Sequence, residues 1–237
     1  MNSEVRARRT AGQGSLLEMV IFVHGLWLTG FESLLLRRRL ARKLGCEVHA
    51  FRYASVTGPM RSVVEQLNER VRALNPATLH LVGHSLGGLV IYRFLERFPE
   101  QPPGRVVFLG SPANGSRAAR NAGRLRWAAR LMGRCIAEEL LAERRREWTF
   151  ARPLGVIAGS RPAGLGRLLA HFDEPSDGTI AVSETRLAGA NEHLVLNVSH
   201  MGMLLSARVA RATGSFLSAG SFAAADAQPG LDSERSR

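Results

Sequence analysis

Leu79-His80-Leu81-Val82-Gly83-His84-Ser85-Leu86-Gly87-Gly88 is the stretch on which the reading of this chain turns. An apolar run of strand character enters Gly-x-Ser-x-Gly, and a helical pattern leaves it, with Leu86, Leu89, Val90, Phe94, Leu95 and Phe98 at three- and four-residue spacings. A serine on a sharp strand-to-helix turn holds strained backbone angles and draws the two flanking segments together, so only residues without Cβ fit at Gly83 and Gly87. The turn lifts the Ser85 hydroxyl off the sheet edge and points the unpaired N–H groups of the next helix at whatever that hydroxyl attacks. Ser85 is therefore the candidate nucleophile, and the competing reading is a tight turn with an exposed serine. Pro99 disfavours a helical Phe98 and ends the helix there.

Upstream, Met19-Val20-Ile21-Phe22-Val23-His24-Gly25-Leu26-Trp27 is a second apolar strand, ending in His-Gly. The backbone N–H of Leu26, paired with that of Leu86, would hold two preorganised dipoles on an oxygen that turns negative during attack. His24 and His84 sit inside their motifs and read as packing residues rather than proton carriers.

On such a turn the acid and the base follow the serine in the order Ser, Asp or Glu, His. His171, His193 and His200 lie downstream. His200 follows the strand-like run Leu194 to Ser199 and precedes a helical run, which places it at the carboxyl edge of a strand, within reach of a neighbouring strand's nucleophile. His193 enters the same strand at its other end, and His171 falls in an irregular stretch. For the acid, Asp173, Glu174 and Asp177 share one turn. Asp177-Gly178 makes the tighter turn and aims a carboxylate that would accept the ring N–H of His200, whereas Asp173 and Glu174 read as solvated loop charges.

Phe22 to Trp27, Gly83 to Gly88, Leu109-Gly110-Ser111-Pro112, Asp177-Gly178-Thr179-Ile180 and Ser199-His200, in this order, resemble small bacterial α/β-hydrolases of the triacylglycerol lipase and esterase type. The correspondence spans about residues 18 to 217. It implies a serine esterase or lipase that needs no cofactor, with Ser85, Asp177 and His200 as catalytic triad and Leu26 and Leu86 at the oxyanion hole; some relatives cleave thioesters or amides. The His-Gly strand comes almost first here, so the leading antiparallel strands of larger members are missing and a minimal sheet is implied. Asn114 to Trp148 has no generic counterpart, so substrate preference does not carry over.

A chain of 237 residues suits one domain. Candidate strands lie at about 18–24, 47–53, 78–84, 105–110, 154–159 and 193–198, and helical patterns at 31–44, 60–74, 86–98 and 201–217. Their alternation predicts an α/β fold, a mostly parallel sheet of about six strands with helices on both faces and the site at the carboxyl ends of the strands. Residues 1–17 read as a polar extension, 18–217 as the domain, about 114–150 as a lid-like helical insertion, and 218–237 as a disordered tail.

The net charge is +12 with Lys43 the only lysine, so the excess is nearly all arginine. Such a surface attracts anions, but aromatics make up only 6% of the chain and no nucleic-acid motif is present, which argues against specific nucleic-acid binding. Between Arg117 and Trp148, arginines interleave with apolar residues. This insertion reads either as a lid over the site or as an ordinary surface helix pair, with Trp27, Trp127 and Leu131 as the substrate-contacting candidates. A small-molecule or lipid ester is the expected partner, with weak contact to an anionic membrane surface. Cys46 and Cys135 read as a reduced, buried pair, no metal-ligand spacing exists, and the lack of a signal-like or membrane-spanning run makes a cytoplasmic protein the expectation. Two function classes stand: a hydrolase of carboxylic esters (or an acyltransferase, thioesterase or amidase using the same groups), and a noncatalytic binding module on the same scaffold.

Overall fold

The structure is a computed structural model and describes residues 17–26, 28–113, 115, 146–163 and 173–223. Its strands are β1 (Glu18–Val23), β2 (Glu47–Phe51), β3 (Thr78–His84), β4 (Val106–Leu109), β5 (Leu154–Gly159) and β6 (Glu192–Leu196). Between and after them run a 3-10 turn (Phe31–Ser33), α1 (Leu34–Leu44), α2 (Met60–Leu74), α3 (Leu86–Arg97), α4 (Val182–Thr185), α5 (Gly202–Leu205) and α6 (Ala207–Ala219). All six strands are parallel, in the order β2-β1-β3-β4-β5-β6.

A parallel sheet is covered on both faces, so its strands are near-continuous apolar runs, as in Met19 to Val23 and Val106 to Leu109. Alternate side chains split between two layers. Ile21, Val23, Leu79, Leu81, Val106 and Phe108 pack under α2 and α3. Val20, Phe22, Val82, Val107 and Leu109 pack under α1, α5 and α6. From β1 the chain moves outward to β2, then returns to pair β3 on the other flank of β1. The loops leaving β1 and β3 therefore diverge and open a crevice at the carboxyl ends of these strands.

The structure corrects several boundaries. The run expected as one strand to residue 198 ends at Leu196, where the Val198 N–H turns back onto the Leu196 carbonyl. The helix expected over 201–217 is two helices, because Ser206 is extended (φ −73°, ψ 125°) and its hydroxyl caps α6 by accepting from the Val209 N–H. Residues 218–223, expected in the tail, belong to the folded domain: α6 runs to Ala219, and Phe222 is buried against Phe216. The last residues of the expected insertion belong to the core, with Arg146 and Trp148 buried and the Trp148 ring edge-on to Phe108. Trp27, Trp127, Leu131, His171 and Cys135 lie outside the described residues. Cys46 is a free thiol, half-buried rather than buried, and desolvation pushes its pKa up to about 11. No helix among the described residues is long and apolar enough to cross a membrane.

Candidate active site

Ser85 follows β3 directly and adopts φ 55°, ψ −122°, a conformation that costs a side-chain-bearing residue on the order of 1–3 kcal/mol. The surroundings hold it there. Its N–H donates to the Leu109 carbonyl on β4, and α3 starts at the next residue. A methyl group on Gly83 would lie 2.5 Å from the Gly88 nitrogen, and one on Gly87 would strike the Val23 carbonyl oxygen. Both glycines are thus required by close backbone approach, as the motif predicts. Gly25 stands against the same turn: a methyl there would sit 3.0 Å from the Ser85 Cβ. The loop after β1, carrying half-buried Leu26, therefore runs beside the serine at the switch point of the sheet. Leu86 is the first residue of α3, where an N–H has no acceptor within the helix.

Asp177 is fully buried at the turn expected for it. Gly178 supplies the left-handed step (φ 92°) that folds the chain back, so the Thr179 and Ile180 N–H groups both donate to Asp177 Oδ1, at 2.8 and 2.7 Å. The second carboxylate oxygen, Oδ2, accepts from His200 Nδ1 at 2.7 Å, and the His200 N–H donates to the Asp177 carbonyl at 3.0 Å. Main chain and ring are both registered to the acid. With Nδ1 as donor, Nε2 is left as the basic nitrogen of the imidazole. The pair rests against Gly110, just past β4, where a methyl would lie 3.0 Å from Asp177 Oδ2 and 3.2 Å from His200 Nδ1.

The two upstream histidines hold the scaffold. His24 is buried, donates through Nδ1 to the Gly25 carbonyl, accepts the Tyr53 N–H at Nε2 and stacks on the Tyr53 ring at 4.4 Å. Burial keeps it neutral by lowering its pKa. His84 is also buried; desolvation, with a smaller contribution from the nearby His200, lowers its pKa to about 3. Its neutral ring donates from Nε2 to the His200 carbonyl at 3.1 Å and lies 4.7 Å from the His200 ring. His193 is at the far end of β6, bonded to the Thr185 hydroxyl, away from Ser85.

The structure thus brings Asp177 and His200 into direct contact and joins them through His84 to the turn that carries Ser85. No hydrogen bond links the Ser85 hydroxyl to His200 among the described residues. Sequence reasoning missed the His84 to His200 bond and the Tyr53 clasp on His24, since neither spacing betrays a contact between separate strands. A cavity of about 1030 Å³ lies at the opposite pole around Glu18, His80, Arg105 and Arg152, at the amino ends of the strands. Volume alone therefore does not mark this site.

The family model described as the alpha/beta hydrolase family matches residues 20–212, and the chain belongs to that family. Among solved structures, a pyrethroid hydrolase is similar at 16% identity and a TM-score of 0.61, covering 86% of this chain and 99% of that one. A meta-cleavage product hydrolase from Pseudomonas fluorescens is similar at 16% identity and a TM-score of 0.58, over 87% and 92%. A thioesterase domain, Vlm2, bound with a dodecadepsipeptide is similar at 14% identity and a TM-score of 0.53, over 86% and 92%. These identities establish the shared fold alone. A search of curated proteins finds no match.

Proposed function

We propose that this α/β-hydrolase cleaves carboxylic esters through an acyl-enzyme, with Ser85 as nucleophile, His200 as general base and acid, and Asp177 as the group that orients and stabilises the imidazolium. The observation that carries the reading is the buried 2.7 Å bond from His200 Nδ1 to Asp177 Oδ2, set at the same sheet edge as the strained Ser85. A carboxylate already saturated by two backbone N–H groups at Oδ1 has one oxygen to spend, and the imidazole takes it. That leaves Nε2 to accept the Ser85 proton. The bond from Ser85 to His200 forms as substrate binds, since catalytic hydrogen bonds are often open in the free enzyme.

The N–H groups of Leu26 and Leu86 hold the oxyanion, and loss of one such donor raises a barrier by roughly 3 kcal/mol. Water then releases the acyl group. Structural neighbours named a pyrethroid hydrolase and a thioesterase domain agree with acyl transfer on this fold.

Purified protein treated with a fluorophosphonate probe is expected to label, and Ser85→Ala to stay unlabelled. No labelling of the folded wild type would favour the noncatalytic binding module. p-Nitrophenyl esters of increasing chain length then separate esterase from lipase.

A further inference from the structure

The two faces of the sheet differ in charge. On the side of α2 and α3, five arginines share the surface with three acids, and three of the arginines are paired: Arg61 and Arg97 both reach Glu65, and Arg93 reaches Glu96. On the other side, α1 and α6 contain no Asp or Glu. They pack against each other and present Arg38, Arg42, Lys43, Arg208 and Arg211 to solvent. Between them lies a cleft of about 390 Å³ lined by Arg39, Arg42, Lys43, Arg211 and two alanines.

At the carboxyl rim this cationic face ends in apolar side chains standing in water. Phe31 is 64% exposed and Leu205 61%, with Leu34, Leu35 and Met201 exposed beside them. Phe31 and Leu35 are four residues apart, as are Leu34 and Arg38, so one side of the helix passes from apolar to cationic within two turns. Two contacts tie the patch together: Arg39 donates to the Leu205 carbonyl at 2.6 Å, and the Arg52 guanidinium lies 4.3 Å from the centre of the Phe31 ring. Glu32, the one acid in the segment 31–44, is turned into the backbone, accepting from the Gly30 N–H.

An apolar tip continuous with unmatched arginines fits a bilayer with anionic headgroups: the arginines meet phosphates while the phenylalanine and leucines enter the layer beneath. We propose that the α1–α6 face, tipped by Phe31 and Leu205, docks this protein on anionic lipid membrane. Met201 follows His200 directly and Leu205 lies one short helix further on, so docking brings the rim bearing the candidate active site to the lipid. The docking itself does not depend on the chemistry at Ser85. A nucleic acid would use the cations and have no use for the tip.

The test is sedimentation of the full chain with vesicles of phosphatidylcholine alone or with about one third phosphatidylglycerol. Binding to the anionic vesicles is expected to be at least ~10-fold tighter and to weaken as salt rises. Arg38→Glu/Arg42→Glu/Arg208→Glu/Arg211→Glu is expected to weaken it ~100-fold or more, and Phe31→Ser/Leu205→Ser, which leaves the cations in place, ~10-fold. Arg61→Gln/Arg72→Gln on the opposite face is expected to bind as wild type. The proposal is overturned if neutral and anionic vesicles bind alike, or if the Phe31/Leu205 variant binds as wild type. It is also overturned if an oligonucleotide binds while vesicles do not. Thermal melting checks that each variant is folded, and the Phe31/Leu205 pair, being exposed, decides the matter even if the fourfold variant fails to fold.

Discussion

The imidazole Nε2 of His84 donates to the backbone carbonyl of His200 at 3.1 Å. The residue preceding the proposed nucleophile thereby grips the main chain of the proposed base. His84 is neutral at any working pH because burial lowers its pKa to about 3, so this bond does not titrate under assay conditions.

His84→Ala is expected to lower kcat by roughly 10- to 100-fold with KM little changed, since a base displaced by a fraction of an ångström loses its alignment with the serine. His84→Gln carries an amide donor near the position of Nε2 and is expected to restore much of the rate. Steady-state kinetics on a p-nitrophenyl ester, with the rate of fluorophosphonate labelling beside it, separates this from packing. Equal defects in both variants would reduce His84 to a space-filling role.

Asp177→Asn is expected to keep the fold and lower kcat by about 10⁴-fold. Asparagine can still accept the Thr179 and Ile180 N–H groups with its carbonyl, but its amide then donates toward His200 Nδ1. The imidazole must answer with the other tautomer, which puts the proton on Nε2 and removes the base. Asp177→Ala adds a structural penalty of ~1–3 kcal/mol for each buried N–H left without its acceptor. Chemical denaturation distinguishes the two, with Asn near wild type and Ala clearly lower.

Gly87→Ala and Gly45→Ala separate two reasons for needing glycine. Gly45 has φ 69° and open space around an added methyl, so its substitution costs only left-handed strain, ~1–2 kcal/mol. At Gly87 the methyl meets the Val23 backbone, which cannot move without shifting β1, and the loss is expected to exceed the Gly45 loss by at least ~1 kcal/mol. Urea unfolding of both variants gives the comparison directly.

What the sequence disclosed follows from which forces act locally. Gly83, Gly87 and Gly178 stand where the backbone itself demands glycine, so the turns that carry Ser85 and Asp177 were legible from a few adjacent residues. The α2 boundaries, Met60 to Leu74, were legible because its apolar spacing is uninterrupted. Ser206 hid its capping role inside a helical pattern, since a single extended residue barely disturbs the period. Phe222 sits in a stretch of small and polar residues, and only the fold reveals the pocket beside Phe216 that buries it. The contact of His84 with His200 links positions 116 residues apart, and no local pattern encodes it.

Acid should weaken this fold through its histidines. His24, His80, His84 and His193 all have pKa values lowered mainly by desolvation, so the native state binds fewer protons than the unfolded chain between the ordinary value of 6.5 and each folded value. Stability is therefore fully present above pH 6.5 and falls as pH drops through that window, each such histidine contributing up to ~1.4 kcal/mol per pH unit. His84 extends the window furthest, to about pH 3. The thermal midpoint is expected to fall steadily from pH 7 to pH 4, and His84→Gln, which has no proton to take up, to show a shallower fall than wild type over the same range. A midpoint that fell equally steeply in both proteins would remove His84 from the groups that set the acid sensitivity.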